Sequence, residues 1–470
     1  MTIRIYNSYT RKKEDFKPIS NKKVRMFVCG PTVYDFSHLG HARTYIAYDV
    51  IAKWLRYKGF DLFYLMNITD IDDKIIKRAK ENNEDPIKLA RRFEEYFFKD
   101  MASLGIDTIN LYARASEHIP EIIDQIKRLI EKGFAYVTKT GVYFDVSKFE
   151  DYGKLSHQDP EELKRHRIEP DPNKRNEQDF SLWKRRKEGE PYWDSPWGEG
   201  RPGWHIEDTA IAEKYLGQQY DIHGGGADLI FPHHEAEIAQ MESVSGKKPM
   251  VRYWLHTGFL KVKGKKMAKS LGNYITIRDA LKKYDAETLR LFFLSTYYRS
   301  PIDFYEEKIE QAKRALEALQ RTVDNIKELN KRVDGLTEYE KTLEKIIEES
   351  RRGFEDAMDD DFNTPLALSH LFNLAREVNK LFNKQKDVNK RLADKLIATF
   401  KELGGIFGLL QKEGINEELP EELRMLIEKR KILKEKKDWK AADEIRKRLE
   451  DLGIILEDTP QGVKWKRKSS

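Results

Sequence analysis

The chain has 470 residues, too many for a single hydrophobic core, so two or more domains are expected. Lys plus Arg number 86 against 80 Asp plus Glu, and the resulting +6 permits an RNA partner without demanding one. A single cysteine excludes an intramolecular disulfide framework, and the lack of a signal peptide or of an apolar run of about 18 residues excludes a membrane span, so the expected setting is the cytoplasm.

Residues 1–115 alternate short apolar strands (Val24–Cys29, Leu62–Met66) with helical segments (Arg43–Lys58, Asp72–Glu81), the rhythm of a parallel sheet with crossover helices. This predicts the first half of a Rossmann-like α/β catalytic domain. Residues 116–200 are polar and charged, with Pro170, Pro172 and the run Tyr192-Trp193-Asp194-Ser195-Pro196-Trp197, and read as a connective insertion. The sheet is expected to resume over 201–257, followed by a lysine-rich loop region over 258–304. From 305 to 403 the pattern is wholly helical: Ile309, Ala312, Leu316, Leu319, Val323 and Ile326 recur at spacings of three and four, which predicts one buried face of a bundle helix. A turn-rich break from Gly404 to Pro420 opens a small mixed α/β unit over 404–470, with a charged helical hairpin before Ile454-Ile455-Leu456 and a basic strand ending at Trp465-Lys466-Arg467-Lys468. Trp439 is expected in the core of that hairpin. No period of 20 to 50 residues repeats.

Two short signals carry the chemistry. In the first, the apolar run Val24–Cys29 breaks at Gly30-Pro31 and leads to His38-Leu39-Gly40-His41 at a helix start, a ready phosphate site. Gly40 lets a nucleotide approach the backbone, and the His38 and His41 rings can donate to phosphate oxygens as charge develops. A histidine-capped helix start is the plainer reading of the same residues. The second signal, Lys266-Met267-Ala268-Lys269-Ser270, reads alone as any solvated basic loop. Their order and company point to an ATP site that activates a carboxylate.

HLGH and KMAKS match the two signature sequences of class I aminoacyl-tRNA synthetases, and the segments around them resemble the cysteinyl-tRNA synthetase family. The matching stretches are Cys29-Gly-Pro-Thr-Val-Tyr-Asp, Asn67-Ile-Thr-Asp-Ile-Asp-Asp-Lys-Ile, Gly203-Trp-His-Ile-Glu, Asp221-Ile-His-Gly-Gly-Gly-Ala-Asp-Leu, Phe231-Pro-His-His-Glu-Ala-Glu-Ile-Ala-Gln, Met358-Asp-Asp-Asp-Phe-Asn-Thr-Pro and a tail from Ala441 to Trp465. The resemblance implies activation of L-cysteine by ATP with Mg²⁺, then transfer to tRNA(Cys), whose anticodon is GCA.

That chemistry needs no protein nucleophile, only positioning and cations where charge accumulates. Lys266 and Lys269 suit the leaving pyrophosphate, His38 and His41 the attacked phosphate. Gly225 and its glycine neighbours suit close approach of the nucleotide, and Asp228 could accept from its ribose hydroxyls. The resemblance also places Gly30, Thr69 and Trp204 at the amino-acid pocket. It implies one Zn²⁺ per chain, carried by position onto Cys29, Asp208, His233 and Glu237. His233 and Glu237 stand i, i+4 on the expected helix Phe231–Ser243 and can face one metal. A zinc that binds thiolate far better than hydroxyl would separate cysteine from serine. Asp208 departs from the family, which carries a second cysteine there, and Ala268 replaces a usual serine. Trp465, flanked by Lys464, Lys466 and Arg467, suits stacking on an anticodon base or, equally, packing of a basic terminal strand. A ligase joining cysteine to a small-molecule amine and a non-catalytic tRNA-binding paralogue are the alternatives.

Overall fold

The computed structural model describes residues 2–157, 171–267, 271–382, 387–411, 421–435, 438–451, 454–459 and 462–467. It divides into two compact units, 1–411 and 412–470.

Five parallel strands form the central sheet of the first unit: β1 (Lys23–Val28), β2 (Asp61–Ile68), β3 (Leu111–Arg114), β4 (Tyr220–Gly226) and β5 (Val251–Thr257), in the order β5-β4-β1-β2-β3. Parallel strands need crossovers, and their interior positions are accordingly apolar and buried; Met26, Phe27 and Val28 of β1 are fully enclosed. The chain runs outward from β1 to β3, then returns to place β4 on the other side of β1. The order reverses there, and in open α/β sheets ligands bind beyond the carboxyl ends of the strands at such a point.

Helix α1 (Leu39–Tyr57) follows β1. It begins at the HLGH signal, as that signal predicts, and His38 and His41 form a reciprocal cap that fixes the first turn. Its first turn is anchored by the buried Arg43, whose guanidinium donates to the carbonyls of Gly258, Tyr298 and Ser300 at 3.1, 3.2 and 2.6 Å. Lower down, Asp49 pairs with Arg290 at 2.5 Å, both fully buried.

The expected insertion, residues 116–200, carries the helix Ile119–Glu131 and most of a four-stranded antiparallel sheet built from Ala135–Val137, Gly141–Phe144, Phe180–Arg185 and Gly200–Pro202. After it, α2 (Trp204–Leu216) and α3 (Glu235–Ser245) flank β4. The expected helix Phe231–Ser243 is regular only from Glu235. Pro232 drives Phe231 into an extended conformation (φ −137°, ψ 135°), and Ile230–His234 form a wider turn instead.

Helices α4 (Glu306–Glu328), α5 (Glu338–Asp359), α6 (Thr364–Phe382) and α7 (Lys390–Phe407) form a bundle. Every member of the apolar stripe Ile309 to Ile326 on α4 is buried in it.

The second unit pairs α8 (Glu421–Glu435) with α9 (Trp439–Asp451) and adds an antiparallel hairpin, Ile454–Thr459 with Gly462–Arg467, in which Leu456 stands opposite Trp465. Its core gathers Leu449, Ile454 and Leu456. Trp439 is not in that core, contrary to expectation. It is 58% exposed, because it opens α9 while the buried face of the helix runs through Ala442 and Leu449. No helix among the described residues is long and apolar enough to cross a membrane.

Candidate active site

A cavity of about 320 Å³ opens at the carboxyl ends of β1 and β4. His38, Gly40, His41, Asp228 and Met267 line one part of it, and Cys29, Gly30, Thr69, Trp204, Asp208 and His233 another.

At the first end, His38 caps α1. Its Nδ1 accepts from the backbone N–H of Gly40 at 3.0 Å and of His41 at 3.3 Å, while His41 Nδ1 accepts from the His38 N–H at 3.3 Å. The rings stack with centroids 3.8 Å apart. A neutral imidazole that accepts at Nδ1 carries its proton on Nε2, so the cap leaves both rings as Nε2 donors. Burial, then His38 and Lys74, push His41 well below the ordinary histidine range, which keeps it neutral. The capping and phosphate-donor readings of HLGH are therefore compatible. A side chain at residue 40 would begin 2.8 Å from the His38 ring, so only glycine leaves the cap undisturbed.

The segment after the second signature returns to this cap. Leu39 N–H donates to Ile275 O at 3.0 Å and Ile277 N–H to Ser37 O at 2.9 Å. Lys266 lies in the short strand Lys265–Lys266, paired antiparallel with Leu260–Val262, and Met267 reaches the cavity wall. Lys269 and Ala268 lie outside the described residues.

The glycines of β4 act differently from one another. Added Cβ atoms at Gly224 and Gly225 would meet the Tyr48 ring at 2.4 Å and Leu229 and His234 at 2.9 and 3.0 Å, so these two are needed for packing behind the wall. Gly226 and Asp228 face the cavity.

The other end is a buried cluster of ionisable side chains. Cys29 follows β1 and is held by its N–H to Gly224 O at 3.0 Å. Its Sγ lies 3.4 Å from His223 Nε2, 3.2 Å from His234 Nε2 and 4.0 Å from Glu237 Oε1. His233 Nε2 is 3.0 Å from both Asp208 Oδ2 and Glu237 Oε1. Gly30 N–H donates to Asn67 Oδ1 at 2.6 Å, and Asn67 Nδ2 donates to Thr69 and to Asp208 Oδ1. Trp204 stacks on His233 at 4.2 Å between centroids.

Burial, then the nearby carboxylates of Glu237 and Asp208, raise the Cys29 thiol well above its ordinary value. Burial and Asp208 likewise lift Glu237. Burial, followed by neighbouring imidazoles, pushes His223 and His234 down, so both rings are neutral. Among the described residues the ion-pair partners of Asp208 and Glu237 are histidines, and Glu237 Oε2 has no hydrogen-bond partner although buried. Buried carboxylates with a thiol, neutral imidazoles and an unsatisfied oxygen are a donor set that fits a divalent cation. Among the described residues two overlapping groups have the required closeness, Cys29-Asp208-His233-Glu237 and Cys29-His223-His234-Glu237. The sequence reading had included only the first. His223 escaped it because strand pairing, not local spacing, brings it to Cys29, whereas His234 lies in the irregular turn Ile230–His234, where helical spacing does not say which way a ring points.

A strand-order reversal and a histidine-capped helix, with the segment 275–277 after the lysine signature bonded to that cap, define a class I aminoacyl-tRNA synthetase fold. Solved structures agree: the chain superimposes on Mycobacterium tuberculosis methionyl-tRNA synthetase in complex with methionyl-adenylate with a TM-score of 0.59 at 17% identity, covering 82% of this chain and 89% of that one. A ternary complex of Agrobacterium radiobacter LeuRS and tRNA gives 0.61 at 12% identity over 84% and 86%. Residues 15–314 match the model of the class I (C) tRNA synthetase catalytic domain, 353–411 the DALR domain, and 416–465 the cysteinyl-tRNA ligase anticodon-binding domain. The chain is 51% identical to the cysteine–tRNA ligase of Thermococcus gammatolerans and 48% to that of Carboxydothermus hydrogenoformans, over 99% of this chain in both cases and over 99% and 100% of theirs. It belongs to the cysteine–tRNA ligase family.

Proposed function

We propose that the chain activates L-cysteine with ATP to cysteinyl-adenylate and transfers the cysteine to the 3′ end of tRNA(Cys), recognised through its GCA anticodon, in the cytoplasm. The observation that carries this reading is the single cavity that joins the His38–His41 cap to the buried thiol, imidazole and carboxylate cluster. In this reading the amino acid side chain lies at the cluster and the reacting carboxylate points toward the cap.

In this reading His38 and His41 donate from Nε2 to the α-phosphate as the carboxylate attacks it, a role for preorganised neutral donors in a water-poor site. Lys266 and Lys269, with Mg²⁺, take the charge of the departing pyrophosphate. Asp228 accepts from the ribose, and Gly226 rather than Gly225 offers the close backbone approach. Gly30, Thr69 and Trp204 surround the amino acid. Cys29, Asp208, His233 and Glu237 would hold a Zn²⁺ ion at the cavity wall, which would supply the preference for a thiol over a hydroxyl. Asp208 takes the position of a thiolate with an oxygen donor, and Asn67 orients it.

Transfer of labelled cysteine to RNA tests the assignment. Charging of a tRNA with a GCA anticodon, lost when that anticodon is changed, is expected. Transfer to a small amine without RNA would instead identify the small-molecule ligase.

A further inference from the structure

We propose that Cys29, His223, His234 and Glu237 form an inner divalent-cation site, and that the protein without substrate holds its cation there rather than on the cavity-facing group that contains Asp208. The proposal rests on the metal-dependent reading above and goes beyond it.

Tetrahedral zinc with bonds of 2.0 to 2.3 Å requires donors about 3.3 to 3.8 Å apart. Around Cys29 Sγ the imidazole Nε2 atoms stand at 3.2 and 3.4 Å, and His223 Nε2 stands 3.4 Å from Glu237 Oε2, the oxygen that lacks a hydrogen bond. All four side chains are buried.

Both histidines are oriented from behind as metal ligands are. His223 Nδ1 lies 2.6 Å from Tyr220 Oη. His234 Nδ1 lies 2.9 Å from His256 Nε2, whose own Nδ1 is 2.7 Å from Ser8 Oγ. Such partners fix the tautomer and aim the remaining nitrogen at a cation.

The donor chemistry favours this group. It offers one sulfur, two nitrogens and one oxygen, whereas the Asp208 group offers one sulfur, one nitrogen and two oxygens, and imidazole suits borderline cations better than carboxylate does. Cys29 and Glu237 belong to both groups, so the two positions are alternatives that one cation would occupy in turn, not together. His223, His234 and Glu237 do not line the cavity, whereas Asp208 and His233 do. The inner position thus lies behind the wall that meets the amino acid.

X-ray absorption on the zinc-loaded full-length protein without cysteine tests this directly. Scattering from two imidazoles and one sulfur is expected; one imidazole and one sulfur would overturn the proposal. Zinc affinity by competition with a chromophoric chelator is the second measurement. His234→Gln is expected to weaken binding by more than about tenfold and Asp208→Asn by less than about threefold. An equal or larger loss in Asp208→Asn would overturn the inner site while leaving the metal reading intact, and a parent protein that takes up no zinc would sink both. If His234→Gln does not fold, the spectrum of the parent decides.

Discussion

At the nucleotide end of the cavity, the donors are aimed by backbone. His38 and His41 spend their Nδ1 atoms on three main-chain N–H groups at 3.0 to 3.3 Å, and glycine at 40 keeps the rings in place. At the cysteine end almost nothing is backbone. A thiol, imidazoles and carboxylates from α2, α3, β4 and the segment after β1 meet below the surface, each held by another side chain. A site made from backbone is rigid because a helix start is rigid, and it tolerates only substitutions that preserve the cap. A site made from buried charge is rigid only while the charges balance. In the proposed function the first would serve a phosphate chemistry common to all amino acids, the second a choice among side chains.

Breaking the support beneath the nucleotide end has the largest expected effect. Asp49→Ala leaves the Arg290 guanidinium buried without its carboxylate, with only backbone carbonyls such as Phe407 O to accept from it, and is expected to cost about 3–5 kcal/mol in denaturant unfolding. The same pair has a pH signature. Burial alone would raise Asp49, but Arg290 and Lys53 outweigh it and hold the carboxyl below its ordinary value. Its contribution is present above the unfolded pKa of about 3.9 and lost as pH falls through the folded value, so the wild type and Asp49→Asn should converge in stability only in acid.

His38→Asn sharpens the comparison, since asparagine caps a helix as well as histidine does but offers no Nε2 donor. Melting temperature should stay near that of the parent, while ATP–pyrophosphate exchange falls by about 10²–10³. If stability fell and exchange did not, the cap alone would explain the signature.

Much of the nucleotide end was legible because its logic is local. HLGH states a helix start in four letters, and the structure sets that start where the capping pair stands. The hydrophobic rhythm of 1–115 and the stripe on α4 were read from periodicity for the same reason. Along the cysteine end, the i, i+4 pair His233 and Glu237 could be read from spacing, and their atoms do meet at 3.0 Å. His223 could not, because it reaches Cys29 through parallel pairing of β4 with β1, strands almost 200 residues apart. The chain gives no local sign of which distant strands will be neighbours. Trp439 was misjudged for a related reason: helix spacing gives a face, but not where along the helix its partner stops.

The smallest effect is expected at the mouth. Trp204→Ala removes the ring stacked on His233 and is expected to raise the KM for cysteine by about two- to tenfold, the 0.5–1.5 kcal/mol of an aromatic contact, with kcat little changed. An equal rise in the KM for ATP would mean that the two ends are not separable.

The buried cluster is expected to select the amino acid. Amino-acid-dependent ATP–pyrophosphate exchange, run with cysteine and with serine on protein of known metal content before and after chelation, measures this. Exchange specific to cysteine, lost with the metal while ATP affinity is retained, is the predicted result. Equal use of serine, or cysteine-dependent exchange that survives complete removal of metal, would contradict it.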